Sequence, residues 1–340
     1  VFRTKRNHRL DRKEGMTRHN KNVHSRQIAR YFVLSFCLAS PFMEAGKAMA
    51  TTQQPPAPAP ATSPPATPEN TLVVVPPFPV ATREEALAEA NRLTIALKHD
   101  VHGLLKLPEA RRQAMIHMAQ EEVSKADFPI TRPQILTVVD RNPKIQTLAL
   151  ILALPDDSDW KLLGAVHVST GTKGRKYYYI TPTGVFDNSA DRLGYRALGT
   201  KNKNGIRGYG IKGMRVWDFG WHTAVKGWLA SGETGDIRLE MHATDPQWLE
   251  QRLGHTASEG CVRIPATLNV FMDHYGLIDV AYEQAASYDR RFRALLPPDR
   301  APSPIAGSAL VVVDSNEAQS AVQPDKLVHN TRNQETTSGI

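Results

Sequence analysis

Cysteine is nearly absent from this sequence: two in 340 residues, Cys37 and Cys261. Long membrane-spanning runs are absent too. The leading apolar stretch, Tyr31-Phe-Val-Leu-Ser-Phe-Cys-Leu-Ala-Ser40, is too short to cross a bilayer. An excess of charge outside the N-terminus is also missing. The net charge is +8, but residues 1–50 carry 11 Lys+Arg against 3 Asp+Glu, and residues 51–340 carry 31 of each. A neutral body leaves no electrostatic footprint for nucleic acid, so no nucleic-acid partner is expected. No internal repeat is present, which excludes solenoids and propellers.

What is there begins with a leader. A basic stretch ends at Arg30, the apolar run follows, and Ala48-Met49-Ala50 fits a small-x-small cleavage site. Residues 1–50 therefore read as a secretory signal peptide, of more ordinary length if translation starts at Met16. Membrane contact is expected only if this signal stays uncleaved. Signal removal takes Cys37 with it, leaving Cys261 as a lone thiol with no internal disulfide partner. In an oxidising compartment such a thiol is a liability unless it is buried or used.

Residues 51–81 hold 10 of the 24 prolines and read as an extended, semi-rigid linker. Thr82-Arg-Glu-Glu85 fits a capping box. Leu93, Leu97, Val101 and Leu104 or Leu105 recur at helical spacing. Pro108 suits the first turn of a second helix containing Met115, Met118, Ala119 and Val123. The segment 82–130 is thus expected to be a helical hairpin, packed on the next domain or capping its groove. From Gln134 the period changes. Short apolar runs at Ile135–Val139, Thr147–Leu154, Trp160–Val168 and Lys176–Ile180 alternate with turn residues, as in a mainly antiparallel β domain. Residues 188–213 read as a long loop. Further strands are expected at Met214–Trp217 and Ile237–Met241, and a helix over Ala266–Tyr275 ended by Gly276. A basic helix is expected over 283–299, and 300–340 reads as a mostly disordered tail.

Two segments carry the chemistry. Leu239-Glu-Met-His242-Ala-Thr244 delivers a histidine at the end of a strand. Gly254-His-Thr-Ala-Ser258-Glu259-Gly260-Cys261-Val-Arg263-Ile264 holds the thiol. A free thiol, pKa about 8.5, is only a few per cent thiolate at neutral pH and needs a base to act as a nucleophile. An imidazole takes its proton and later returns it to the leaving group. Gly260 allows a tight turn before Cys261. The amides of Glu259, Gly260 and Cys261 could then face a developing oxyanion. Arg263 falls on the same side of an extended chain as Cys261, where its planar fork could hold a substrate carboxylate.

The pairing of His242 with Ser258-x-Gly260-Cys261-Val-Arg263 resembles the signature of the YkuD-type L,D-transpeptidases. Val168-Ser-Thr-Gly171, followed by Ile180-Thr-Pro182-Thr-Gly184-Val-Phe186, resembles that family's Thr-Pro-x-Gly element, and Val138-Val-Asp140 its first strand. The resemblance covers roughly residues 135–280, and a catalytic domain is expected over 134–282. It implies a mainly β fold, a YkuD-like β-sandwich catalytic domain with a few helices. It implies no metal and no cofactor, and stem peptides of peptidoglycan as partners in the periplasm. The family's cysteine attacks the bond after the third residue of a tetrapeptide stem, releases D-alanine, and passes the acyl group to an amine, giving a 3–3 cross-link. By matching positions, Cys261 is the nucleophile and His242 the general base and acid. Ser258, Gly260 and Arg263 shape the oxyanion and substrate side. The chain departs from the family at Glu259, where the family often has histidine, and at Ala243, where it often has glycine or serine. A carbonyl from Ala243 or a neighbour could still orient His242.

Other readings compete. His222, His255 and His274 are rival bases, with His255 closest to the thiol in sequence. Zinc held by His242, His255 and Cys261 fits no common spacing. Trp217, Trp221 and Trp228 are core residues or a groove wall. Asn202–Gly210 lacks the strand-to-helix setting of a phosphate loop and reads as a lid or a surface loop. Water in place of the amine would make the chain an L,D-carboxypeptidase or hydrolase. A domain that keeps the fold without activity would be a wall-binding protein.

Overall fold

The structure is a computed structural model and describes residues 75–155 and 159–316. The signal segment 1–50, the linker through residue 74 and the tail from residue 317 lie outside the described residues. Among the described residues, no helix is long and apolar enough to cross a membrane.

Helix α1 spans Arg83–Asp100 and opens with the capping box. The Glu85 amide donates to Thr82 Oγ1 at 3.2 Å, and the Thr82 amide to Glu85 Oε2 at 2.8 Å. Ala86, Ala90, Leu93 and Leu97 form its buried stripe. Helix α2, Glu109–Lys125, follows Pro108 and buries Met115, Ile116, Met118, Ala119 and Val123. The strands are β1 (Gln134–Asp140), β2 (Thr147–Ala153), β3 (Lys161–His167), β4 (Gly184–Asp187), β5 (Tyr195–Arg196), β6 (Arg215–Val225), β7 (Thr234–Ala243) and β8 (Val262–Ile264). After them come α3 (Ala266–His274), α4 (Val280–Ala285), α5 (Arg290–Leu295) and β9 (Ala309–Val313).

These strands make two mixed sheets, ordered β3-β2-β1-β9-β4 and β5-β6-β7-β8. The fold is mainly β with a few helices. Most pairings are antiparallel, but β9 runs parallel to β1 and β8 parallel to β7. Buried side chains of both sheets, among them Val138, Val311, Trp217 and Met241, belong to one continuous apolar core. All seven positions of β1 and of β2 are buried. That accounts for their unbroken apolar runs, because strands covered on both faces need no polar alternation.

Four expectations change. The helices do not chiefly pack on each other as a hairpin: α1 lies mainly against β3 and α3, and α2 against β9, β4 and β1. An amphipathic stripe does not say which apolar surface it will meet. The basic helix over 283–299 is two short helices, broken where the Asp289 side chain caps α5. Lys176–Ile180 is not a strand. Tyr177 adopts a left-handed φ of 68°, which breaks the extended run, and only Tyr179 makes an isolated bridge, to Lys226. The expected tail is ordered through residue 316, and Ala309-Leu-Val-Val-Val313 fills the slot between β1 and β4.

The five β9 residues are 0–4% exposed. Fully burying one Val or Leu contributes about 1.5–3 kcal/mol. Four such residues approach the total stability of an ordinary domain, about 5–15 kcal/mol. A chain cut after residue 299 should therefore show no cooperative thermal transition by circular dichroism. A melt unchanged by the cut would contradict the placement of β9.

Candidate active site

His242 lies near the end of β7 and Cys261 just before β8. These strands run parallel, and His242 pairs with Arg263. Paired residues project to one face, and Cys261 precedes Arg263 by two, so the register brings His242, Cys261 and Arg263 to one side. The imidazole is buried, and its Nδ1–H donates to the Ala243 carbonyl at 2.7 Å. A carbonyl can only accept, so this bond fixes the proton on Nδ1 and leaves Nε2 free to take one.

Burial, and secondarily the positive charge of Arg263, push the His242 pKa down to about 4. The partly exposed Cys261 donates its S–H toward the Arg238 carbonyl, 3.8 Å away. Enclosure of the sulfur, with the negative charge of Glu240, pushes the thiol pKa up to about 12. The resting pair is therefore a neutral thiol and a neutral imidazole. Such a pair can act only by general-base transfer as the sulfur attacks, not as a preformed ion pair.

The cysteine loop is built by hydrogen bonds. Ser258 is buried, and its hydroxyl donates to the Cys261 carbonyl at 2.6 Å while accepting from the Gly260 amide at 3.1 Å. That second bond corrects one expectation. The Gly260 amide is turned onto Ser258, which removes it from the expected oxyanion donors. Gly260 has φ 138°, and a Cβ there would come within 2.9 Å of Ile237 Cδ1. Glu259 is exposed, and its carbonyl accepts from the Tyr179 amide at 3.0 Å. Arg263 Nη1 donates to the Ala257 carbonyl at 3.2 Å, while its buried Nε has no hydrogen-bond partner.

The two motif blocks meet at Thr181. Its buried hydroxyl accepts from the Gly171 amide at 2.9 Å and donates to the Gly260 carbonyl at 2.7 Å. One side chain of the Thr-Pro-x-Gly element thus clamps the backbone just before Cys261. Ser169 bridges Arg263 and Gly171 bridges Ser258, so the upstream segment braces the whole loop.

The rival residues separate cleanly. His255 is exposed. His222 Nε2 lies 2.9 Å from the Phe219 carbonyl, and its ring packs on Phe186. His274 ends α3 against Tyr275. Trp217 is a core residue, its Nε1–H shared between both oxygens of Asp279 at 3.1 and 3.2 Å. Trp221 is 69% exposed, and Trp228 sits edge-on to Tyr177 and Tyr179. Among the described residues, no three His, Cys, Asp or Glu side chains cluster as metal ligands.

The sequence reading missed Glu240 and Tyr209. Glu240 is 5% exposed and accepts from the Tyr195 hydroxyl at 2.8 Å. It precedes His242 by two on β7, so strand alternation alone places it on the same face as His242. Tyr209, from the 188–213 loop, stacks on the His242 ring at 4.4 Å between centroids and 38° between planes. That loop is tied down: the Arg207 amide donates to buried Asp245 Oδ2 at 2.8 Å.

The depressed His242 pKa has a stability consequence. Unfolded, the ring protonates near 6.5; folded, it stays neutral to about 4. Its contribution is present above pH 6.5 and is lost as pH falls through 4, a change of about 3 kcal/mol. Urea midpoints should drop from pH 7 to pH 4 by more in the wild type than in His242→Gln. Equal drops would contradict the burial of a neutral ring.

Comparison with known proteins adds little. No protein-family profile matches this chain, and no curated protein matches it. One similar solved structure is a fused Zn-dependent amidase/peptidase/peptidoglycan-binding domain-containing protein from Clostridium acetobutylicum. It shares 15% identity over 61% of this chain and 63% of that one, at a TM-score of 0.22. So distant a likeness assigns neither fold nor activity.

Proposed function

We propose that this chain is an exported, periplasmic L,D-transpeptidase with a YkuD-like β-sandwich domain, acting on peptidoglycan stem peptides. The observation that carries the reading is the Thr181 clamp. It joins the Thr-Pro-x-Gly element to the loop of Cys261, beside a histidine held as a base.

In this reading Cys261 Sγ attacks the carbonyl carbon after the third residue of a tetrapeptide stem, and the S–H proton passes to His242 Nε2. The Glu259 and Cys261 amides receive the oxyanion. The C–N bond breaks, and the imidazolium returns its proton to the departing D-alanine nitrogen. An amine of a second stem then attacks the thioester, the C–S bond breaks, and the sulfur regains a proton. Arg263, on the same side as Cys261, would draw a stem carboxylate by its charge.

The test is the purified chain with a tetrapeptide stem, read by mass spectrometry. D-alanine and cross-linked dimers are expected from the wild type, and at least about 10³-fold less D-alanine from Cys261→Ala. No release by the wild type, or equal release by the variant, would sink the reading. Trimmed monomers without dimers would assign water as acceptor, making the chain an L,D-carboxypeptidase. An unmodified stem, with a Cys261 that alkylates slowly and is indifferent to His242→Ala, would make it a wall-binding protein.

A further inference from the structure

Glu240 works against the nucleophile it adjoins. Its carboxylate is buried on the His242 face of β7, and its negative charge opposes ionisation of Cys261. The groups around the thiol come from every neighbouring element. Strand β7 supplies Arg238, Glu240 and His242. Arg263 comes from β8, Glu259 from the cysteine loop, Tyr195 from β5 and Tyr209 from the 188–213 loop. Arg238 is the cation nearest Glu240 along the strand face, but its guanidinium is committed to the fully buried Asp218, with Nε 2.8 Å from Oδ2. Arg263 lies beside His242 and bonds the Ala257 carbonyl. Among the described residues Glu240 takes part in no ion pair; the Tyr195 hydroxyl donates to it at 2.8 Å, and Tyr209 packs against Tyr195 and His242. Both tyrosines are partly exposed, 38% and 41%, so the carboxylate lies just beneath a phenolic rim.

Burial pushes the Glu240 pKa up, and Arg238, which would offset this, is paired with Asp218, so the charge on Glu240 is costly until a cation joins it. Charge complementarity supplies the missing partner. We infer that Glu240 is a subsite for a primary ammonium group of the substrate, set on the strand face that the Cys261 sulfur adjoins through the Arg238 carbonyl. Neutralising the carboxylate lowers the cost of negative charge on sulfur, so attack becomes favourable only with the correct peptide in place. The inference rests on the proposed acyl transfer for its purpose. The site itself rests on burial, register and pairing.

The first experiment follows iodoacetamide alkylation of Cys261 in the full chain from pH 6 to 10. Pentylammonium should speed alkylation of the wild type in a saturable way, and 1-pentanol should not. This arm needs no variant. Glu240→Gln should alkylate about tenfold faster than wild type near neutral pH and lose the response to pentylammonium. Equal rates in the two proteins, or equal acceleration by alcohol and amine, would overturn the inference.

A second set of arms finds the source of the ammonium. Cys261 acylation is followed with stems whose side-chain amine is free or acetylated, each with or without a separate alkylamine. Loss on acetylation assigns the donor stem, and rescue by the alkylamine assigns the acceptor. Equal acylation in all four arms would overturn the subsite. Ammonium-sensitive alkylation without D-alanine release would overturn the transpeptidase reading and leave the subsite standing.

Discussion

His242→Ala should lower D-alanine release by about 10²–10⁴-fold, the usual contribution of a positioned acid–base group. The reason lies in the resting charge states. With the thiol near 12 and the imidazole near 4, almost no thiolate exists before substrate binds. Sulfur attack therefore needs a base that takes the proton during the step, and the Nδ1–H bond to Ala243 leaves Nε2 unprotonated for that task. The pH profile separates this account from a preformed ion pair. In the wild type, kcat/KM should stay nearly flat from pH 6 to 9, because both groups keep their working forms across that range. In His242→Ala the residual rate should climb about tenfold per pH unit over the same range, since only free ionisation supplies thiolate. A wild-type bell centred near pH 7 would contradict the neutral pair.

Gly171→Ala should destabilise the domain by about 3 kcal/mol or more and abolish release, although residue 171 touches no reacting atom. An added Cβ would lie 1.9 Å from the Tyr179 carbonyl oxygen and 2.8 Å from the Thr181 amide nitrogen. Both are backbone atoms that cannot rotate away. Relieving the clash means parting the 171 segment from the Thr-Pro-x-Gly element, which breaks the bond from the Gly171 amide to Thr181 and frees the Gly260 carbonyl. Thr181→Val gives the matched control. It keeps the shape and removes the hydroxyl, so it should lose activity with a smaller fall in melting temperature. Full activity in Gly171→Ala would contradict the clamp.

The candidate pair, His242 and Cys261, was legible because its residues lie in short local signatures. Ser258-x-Gly-Cys261 closes on itself through hydrogen bonds three residues apart or fewer, and such contacts leave a mark in sequence. Glu240 was half legible. Alternation along β7 puts it on the same face as His242, but its burial depends on Tyr195 and Tyr209, which arrive from 31 or more residues away. The Gly260 amide was not legible, because which acceptor it meets depends on the turn of the Ser258 hydroxyl, which the sequence does not set. Strand β9 was hidden by its surroundings. Five apolar residues amid polar, proline-containing sequence look like a tail until a slot between β1 and β4 is known. Tyr177, Tyr178 and Tyr179 misled in the opposite way, being good strand formers in a segment that a left-handed residue bends into a loop.

The most direct test of the account asks which atom carries the acyl group. The purified chain is mixed with a tetrapeptide stem, without added amine, quenched in acid, digested and sequenced by tandem mass spectrometry. The account predicts a tripeptide acyl adduct on Cys261 in the wild type and none in Cys261→Ala. D-alanine release with Cys261 unmodified, or an adduct on Ser258 instead, would contradict it.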